Sequence, residues 1–210
     1  MASVPYTDLD LATWPRRDHM RLFQRLANPY FSVTVDLDIT AWLAANRAAG
    51  RPFFPALVHR MTAVANGIEA FRTRIRGERV VLHDRIDPSF TVPWRGDMFN
   101  FCTVDFEPDV DAFLARCLPA IAASESADGL ILDPAVPDDK LYLSCLPCFP
   151  FSSMTHAVGT GDTIPRLAWG RATEREGRTW LAVNFQLHHG LLDGVHVARF
   201  LESFGMGALQ

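Results

Sequence analysis

The stretch from residue 179 to residue 204 constrains the fold most strongly, because two hydrophobic periodicities meet in it. Residues Trp180–Leu187 (WLAVNFQL) are rich in β-forming side chains and predict a strand, whereas Val195–Phe204 has apolar spacing compatible with a helix. The heptapeptide HHGLLDG (residues 188–194) lies between them, and its Asp-Gly pair favours a tight turn. The sequence therefore predicts a strand, a short connection and a helix, with His189 at the end of the strand.

His189 is a candidate catalytic residue because an imidazole can remove a proton from a hydroxyl and return one to a leaving group near neutral pH. Asp193 follows four residues later, so its carboxylate is held close to this histidine. The residues alone also allow a second interpretation, in which His189 is a hydrogen-bonded core histidine and Asp-Gly is only a turn. Local sequence leaves both interpretations open.

Length and charge limit the classes of function. The chain has 210 residues, 49% of them hydrophobic and 21% charged, which is enough apolar material for one domain over residues 1–210. The formal net charge of −4 argues against broad nucleic-acid binding, since phosphate backbones select a concentrated basic surface. Any contact with a phosphate group should therefore be local.

The N-terminal residues lack a basic segment followed by an apolar core, and no apolar run approaches the ~20 residues of a membrane span. We therefore expect a cytoplasmic protein that has no membrane partner. The four cysteines, Cys102, Cys117, Cys145 and Cys148, are expected to be reduced thiols. The last two form a CxxC pair that could be a redox pair or half of a zinc site, but no partner motif for zinc is present, so no metal is predicted.

Helical and strand patterns mix along the whole chain and predict an α/β (α+β) two-layer sandwich, with helices packed on a mixed, largely antiparallel sheet. The predicted helices are Trp14–Ala27, Asp38–Ala48, Phe53–Phe71 and Asp109–Ala123. The predicted strands are Tyr30–Leu37, Arg72–Arg76, Arg79–Leu82, Phe90–Val92, Phe99–Phe106 and Leu141–Leu146, with a hairpin formed by Arg166–Thr173 and Thr179–Leu187. Ser124–Asp139 is predicted to be a surface loop.

The HxxxDG pattern from His189 to Gly194 resembles the catalytic motif of CoA-dependent acyltransferases related to chloramphenicol acetyltransferase. The same motif also occurs in dihydrolipoyl acyltransferases, plant BAHD acyltransferases and peptide-synthetase condensation domains. The longer string HHGLLDGVHVARF resembles the chloramphenicol acetyltransferase version specifically. Four further blocks are similar to that family and stand in its order: WPRRDHMRLF, FSVTVDLDIT, FPALVHRMTAVANGIEAFRTRI and DRIDPSFTV. The chain is identified as a member of the chloramphenicol acetyltransferase family.

This resemblance implies a catalytic set. His189 would be the general base that takes the proton of an acceptor hydroxyl, which then attacks the thioester of an acyl-CoA without a covalent acyl-enzyme. Ser144 matches the family serine whose hydroxyl stabilises the tetrahedral oxyanion, a role suited to a preorganised donor. Asp193 and Arg16 match a structural ion pair and are expected to support the site, with no part in proton transfer.

The resemblance also implies binding positions and an assembly. Acetyl-CoA would be a co-substrate, with no tightly bound cofactor, and Arg171 and Arg51 are the basic candidates near its phosphates. The acceptor pocket departs from the family pattern: a hydroxylated aromatic becomes Phe23, a cysteine becomes Pro29, a phenylalanine becomes Met154, and a threonine becomes Ala168, followed by Trp169. The family architecture implies a homotrimer with active sites at subunit interfaces.

The expected function is therefore acetyl-CoA-dependent O-acetylation of a small-molecule hydroxyl, with chloramphenicol as the default acceptor and antibiotic resistance as the outcome. One alternative is a related acyl-CoA O-acyltransferase that uses a different alcohol in biosynthesis or detoxification, which the altered pocket would favour. Another is a catalytically idle trimeric binding protein, although the complete set of His189, Ser144, Asp193 and Arg16 argues against it.

Overall fold

A computed structural model describes residues 4–132 and 137–205. The helices are α1 (Arg17–Phe23), α2 (Thr40–Ala48), α3 (Phe53–Asn66), α4 (Glu69–Arg72), α5 (Val110–Glu125) and α6 (Gly194–Phe204). The strands are β1 (Tyr6–Asp8), β2 (Tyr30–Asp38), β3 (Thr73–Arg76), β4 (Arg79–His83), β5 (Asp87–Trp94), β6 (Met98–Thr103), β7 (Lys140–Leu146), β8 (Arg166–Gly170), β9 (Thr173–Arg175) and β10 (Arg178–His188).

The main sheet has seven strands in the order β2-β10-β8-β7-β5-β6, with β9 paired to β10. Strand β10 pairs antiparallel with β2, β8 and β9, and β5 pairs antiparallel with β6. Among the strands that the structure describes, only the pairings of β7 with β5 and with β8 are parallel. The prediction of a mixed, largely antiparallel sheet packed by helices is confirmed. A smaller sheet has the order β1-β4-β3.

One face of the main sheet is apolar and packs against helices. Side chains alternate between the two faces of a strand, and Val183, Phe185 and Leu187 of β10 are all fully buried. The ring of Phe185 meets the ring of Phe200 in α6 at 5.1 Å in an edge-to-face arrangement. This contact fixes α6 against β10 and so sets both ends of the connection that carries His189.

The opposite face of the main sheet is largely polar and lies under the segment between β7 and β8. Asn184 donates to the main-chain oxygen of Met154 at 3.1 Å, and Gln186 accepts from the main-chain N–H of His156 at 2.7 Å. The register places two rows of side chains on this face: Gln186, Arg166, Tyr142, Ser89 and Thr103, then Asn184, Ala168, Ser144, Thr91 and Phe101. Ser144 therefore lies on the face that the helices leave uncovered.

Several predicted boundaries were wrong. The helix predicted from Trp14 to Ala27 is only α1, because residues 24–27 turn away from it. The helix predicted from Phe53 to Phe71 ends at Asn66, where the N–H of Gly67 caps the carbonyl of Ala63.

A short helix, α4, then includes Arg72, which the sequence had placed in a strand. The three-residue strand β1 was not predicted, since it is too short and too exposed to show a periodicity. The predicted loop Ser124–Asp139 contains no helix or strand in its described part beyond the end of α5, and residues 133–136 lie outside the described residues.

Within residues 4–132 and 137–205, no helix is both long and apolar enough to cross a membrane.

Replacing Phe200 by alanine should lower the free energy of unfolding by about 3–5 kcal/mol, because it opens a cavity between α6 and β10. Urea denaturation at fixed protein concentration measures the change. Val195→Ala is the matched control on the same helix, since Val195 is 51% exposed, and it should change stability by less than about 0.5 kcal/mol. Equal effects of the two substitutions would contradict this account of the packing.

Candidate active site

The connection between β10 and α6 is a tight turn anchored by its two leucines. The main-chain N–H groups of Leu191 and Leu192 both donate to the carbonyl of His188, at 2.9 and 3.0 Å. Both leucine side chains are buried in the core. Because the leucines point inward, the side chain of His189 points outward and is 37% exposed.

The imidazole of His189 is held by its Nδ1 atom. Nδ1 lies 3.1 Å from the carbonyl oxygen of Leu192 and 2.9 Å from Oδ1 of Asp193. Both of these oxygens are acceptors, so the proton of the neutral ring is assigned to Nδ1, and Nε2 keeps its lone pair. The rings of Phe23 and Phe31 pack against the imidazole at centroid distances of 4.5 and 4.8 Å. This arrangement presents an oriented base.

Arg16 binds three different groups of the turn. Its Nη1 lies 2.6 Å from Oδ2 of Asp193, its Nη2 donates to the carbonyl of His189 at 3.0 Å, and its Nε donates to the carbonyl of Gly190 at 3.3 Å. The hydrogen bond from Arg16 holds the pKa of Asp193 below its usual range. Asp193 therefore stays ionised and presents its other oxygen to His189.

Ser144 lines a separate cavity of about 730 Å³ on the polar face of the sheet. Its Oγ lies 3.4 Å from Oγ1 of Thr91 on the neighbouring strand. The cavity is lined by hydroxyl groups and by aromatic rings, among them Ser89, Thr91, Thr103, Phe90, Phe99, Phe101 and Tyr142. A hydroxyl donor thus stands beside a space large enough for a small molecule.

The chain does not bring His189 and Ser144 together. Ser144 of β7 pairs with Ala168 of β8, and Ala168 pairs with Asn184 of β10. The serine is therefore two strands away from β10, level with a residue that precedes His189 by five positions. At strand geometry this is about 16 Å along the strand and about 10 Å across the sheet. His189 does not line the cavity that contains Ser144.

Three of the five residues predicted for the acceptor pocket lie beside either His189 or Ser144. Phe23 packs on the imidazole of His189, and the carbonyl of Pro29 accepts from the N–H of His189 at 2.8 Å. Ala168 is the cross-strand neighbour of Ser144. Phe23 and Pro29 therefore lie beside His189, and Ala168 lies beside Ser144.

Two other predicted pocket residues do not line the cavity. The carbonyl of Met154 accepts hydrogen bonds from Ser32 and Asn184, which holds the loop over the polar face. Trp169 is fully buried in the apolar core, with its ring 5.9 Å from that of Phe54. Across the β7–β8 pairing Trp169 is the neighbour of Cys145, and that cysteine does line the cavity.

The two arginines considered for CoA phosphates differ in their surroundings. Arg51 forms a bidentate ion pair with Asp111, at 2.8 and 2.7 Å. Arg171 is exposed, and its guanidinium makes no ion pair with any residue that the structure describes. Arg171 is thus the cation that remains available to an anion.

Of the CxxC cysteines, Cys145 lies near the end of β7 and Cys148 lies in the turn that follows it. Both thiols are free, and burial raises the pKa of Cys145 to about 11, so this side chain stays protonated at neutral pH. In the described part of the chain, no three His, Cys, Asp or Glu side chains are grouped so that they could hold a metal ion.

Sequence reasoning missed Thr91, Tyr142 and His156 as cavity residues. Tyr142 lies two residues before Ser144 on β7 and therefore on the same face of the strand. Thr91 comes beside Ser144 only through the pairing of β5 with β7. His156 lies in a segment with no regular structure, so no periodicity could have indicated its position.

Comparison with known proteins decides the family. The family model for chloramphenicol acetyltransferase matches residues 4–205. The chain belongs to the chloramphenicol acetyltransferase family. It is therefore an acyltransferase, and the resemblance drawn from HHGLLDG and the four ordered blocks is confirmed.

Relatives of this acyltransferase align over almost its whole length. It is 29% identical to chloramphenicol acetyltransferase 2 of Haemophilus influenzae over 204 residues, 96% of each chain. It is 32% identical to the chloramphenicol acetyltransferase of Streptomyces acrimycini, covering 91% of this chain and 89% of that one.

Solved structures agree with the sequence relatives. A chloramphenicol acetyltransferase structure superposes with a TM-score of 0.84 at 27% identity, covering 95% of this chain and 98% of that chain. The cubic core of the pyruvate dehydrogenase multienzyme complex has a TM-score of 0.62 at 16% identity, covering 90% of this chain and 84% of that chain. The second likeness shows a shared fold.

Replacing Arg16 by methionine should lower the free energy of unfolding by about 1–3 kcal/mol at pH 7, because it leaves Asp193 without its cation. The depressed pKa of Asp193 contributes stability above the unfolded value of about 3.9, and this contribution is lost as pH falls through the folded pKa. The difference in free energy of unfolding between the wild-type protein and the variant should therefore become smaller below about pH 4. Urea denaturation at several pH values measures this difference.

Arg175→Met is the control for this substitution. Arg175 forms a pair of the same length, 2.6 Å, with Asp36, but both side chains are about half exposed. We expect a change below about 1 kcal/mol. A penalty for Arg16→Met that is no larger than the control, or that does not depend on pH, would contradict the role given to Arg16.

Proposed function

We propose that this acyltransferase moves the acetyl group of acetyl-CoA to a hydroxyl of a small molecule, with chloramphenicol as the acceptor and antibiotic resistance as the result. The observation that carries the proposal is the tautomer assigned to His189, in a chain that matches the family model from residue 4 to residue 205. Two acceptors hold its Nδ1, which leaves Nε2 as the base. The relatives' names supply the acceptor.

In the proposed reaction, Nε2 of His189 takes the proton of the acceptor hydroxyl while the hydroxyl oxygen attacks the carbonyl carbon of the thioester. The imidazolium that forms is stabilised by the carboxylate of Asp193 and the carbonyl of Leu192. The hydroxyl of Ser144 donates to the oxyanion of the tetrahedral intermediate. As the intermediate collapses, the carbon–sulfur bond breaks, and the CoA thiolate takes the proton back from the imidazolium.

The separation of His189 from Ser144 supports an active site shared between copies. We place the chain in a cytoplasmic homotrimer of single-domain subunits, in which His189 of one copy faces the Ser144 cavity of its neighbour. Cyclic symmetry then repeats the same interface three times and gives three equivalent sites. Each protomer contributes one half of two different sites.

The charges around the cavity favour an uncharged acceptor. Arg166 is paired with Asp162, and its guanidinium lies over the ring of Tyr142 at 5.0 Å. Lys140 is buried beside Asp139 at 2.7 Å and Asp87 at 3.6 Å. Because both cations are neutralised, the remaining aromatic and hydroxyl groups suit a neutral alcohol that carries an aromatic ring, as chloramphenicol does.

Acetyl-CoA is proposed as a co-substrate that binds transiently. Its phosphates need local cations in a chain of net charge −4. We assign this role first to Arg171, since Arg51 is already paired with Asp111.

The direct test is release of free thiol from acetyl-CoA by the purified protein, with and without chloramphenicol. Rapid release that requires chloramphenicol supports the proposal. Release that requires another alcohol would change the acceptor and keep the chemistry. No release with any alcohol would indicate an idle binding protein and overturn the proposal.

His189→Ala should lower kcat by about 10²–10⁴-fold, since it removes the general base. Ser144→Ala should lower kcat by about 10²–10³-fold with little change in the KM for acetyl-CoA, since it removes one oxyanion donor. Steady-state kinetics measure both effects. Near-wild-type turnover in either variant would remove that residue from the mechanism.

Mixed oligomers test whether the site is shared. Neither His189→Ala nor Ser144→Ala has an intact site alone, but a mixed trimer joins the intact His189 of one copy to the intact Ser144 of another. Unfolding and refolding an equal mixture should recover about a quarter of wild-type activity per site, the fraction that random pairing of subunits gives. Refolding each variant by itself is the control, and no recovery in the mixture would place both residues within one subunit.

A further inference from the structure

His188, the residue before the proposed base, makes a contact that the mechanism does not use. It is the last residue of β10 and is only 4% exposed. Its Nδ1 accepts a hydrogen bond from the main-chain N–H of Gly190 at 3.1 Å. Burial lowers the pKa of His188 to about 4, so the ring is neutral at pH 7, and its proton is on Nε2.

This bond completes the fixation of the peptide groups around His189. The N–H of His189 donates to Pro29, and the carbonyls of His189 and Gly190 both accept from Arg16. The N–H of Gly190 is the remaining polar group of these two residues, and its acceptor is the imidazole of His188. All four main-chain polar groups of His189 and Gly190 therefore have partners.

The imidazole of His188 is also wedged in place. A Cβ atom at Gly190 would lie 2.9 Å from Cε1 and 3.0 Å from Nδ1 of His188, and 3.1 Å from Cα of Met20. On another side, the ring of Tyr30 meets the His188 ring edge-to-face at 5.6 Å. The ring is thus confined between the turn and β2, in the orientation that accepts the Gly190 N–H.

We propose that His188 is a positioning residue, whose Nδ1 fixes the Gly190 peptide and thereby the direction in which the imidazole of His189 leaves the turn. The proposal rests on the proposed function of His189 as the base. A catalytic group must be placed accurately, since a displacement of about 1 Å can lower the rate about 10²-fold. The two adjacent histidines therefore have different roles: His189 accepts the proton, and His188 holds the main chain that carries His189.

Two substitutions separate hydrogen bonding from bulk. In His188→Asn the side-chain oxygen can occupy the place of Nδ1, whereas in His188→Gln the oxygen corresponds to Nε2 and is too far along the side chain. We expect His188→Gln to lower kcat about 10²-fold while the KM values for both substrates stay unchanged. The kcat of His188→Asn should be about tenfold higher than that of His188→Gln. Thermal unfolding should give the two variants similar midpoints.

The proposal fails if the two variants lose kcat equally, since the loss would then come from packing alone. It also fails if both keep wild-type kcat, or if the KM values rise in place of a fall in kcat.

A measurement on the wild-type protein does not depend on how the variants fold. Nitrogen-15 NMR of the histidine rings should show His188 as the Nε2–H tautomer that does not titrate between about pH 5.5 and 8. A proton on Nδ1, or titration within that range, would overturn the proposal. Because this readout needs no turnover, an inactive wild-type enzyme would refute the proposed function separately.

Discussion

The geometry of the site depends on one guanidinium that joins the two ends of the chain. Arg16 precedes the first helix, yet it binds the carboxylate of Asp193 and two carbonyls of the turn that follows β10. A partly buried carboxylate requires such a cation, because removal of either partner leaves a charge without compensation. The ion pair thus keeps Asp193 ionised and directed at Nδ1 of His189. Because the proton of the ring is then held on Nδ1, Nε2 is the basic nitrogen.

The second constraint is the division of the sheet into two faces. Helices cover the apolar face, where Phe185 and Phe200 set the position of the histidine turn. The polar face holds Ser144 and the large cavity. Because β10 carries the histidine past its end while Ser144 lies within β7, the two residues are far apart in one chain, and we propose that a second copy completes the site.

The sequence predicted the local features of the site better than its assembly. The period-2 run before HHGLLDG and the apolar spacing after it predicted β10 and α6, since both elements bury one regular face. Sequence could not predict the cavity beside Ser144, which arises from the parallel register of β5 and β7 and from a loop without periodicity. It also extended the first helix past Phe23 and the third past Asn66, where turn formation outweighed continued apolar spacing. The partner of Arg16 came from the family resemblance, since no local pattern links residues so far apart.

The most direct test of the central claim is a crystal structure of the enzyme with chloramphenicol and a non-reactive analogue of acetyl-CoA. The account predicts Nε2 of His189 within about 2.6–3.2 Å of one chloramphenicol hydroxyl, with Ser144 of a neighbouring subunit beside the thioester carbonyl. An acceptor bound entirely within one subunit, with its hydroxyl out of reach of His189, would contradict it.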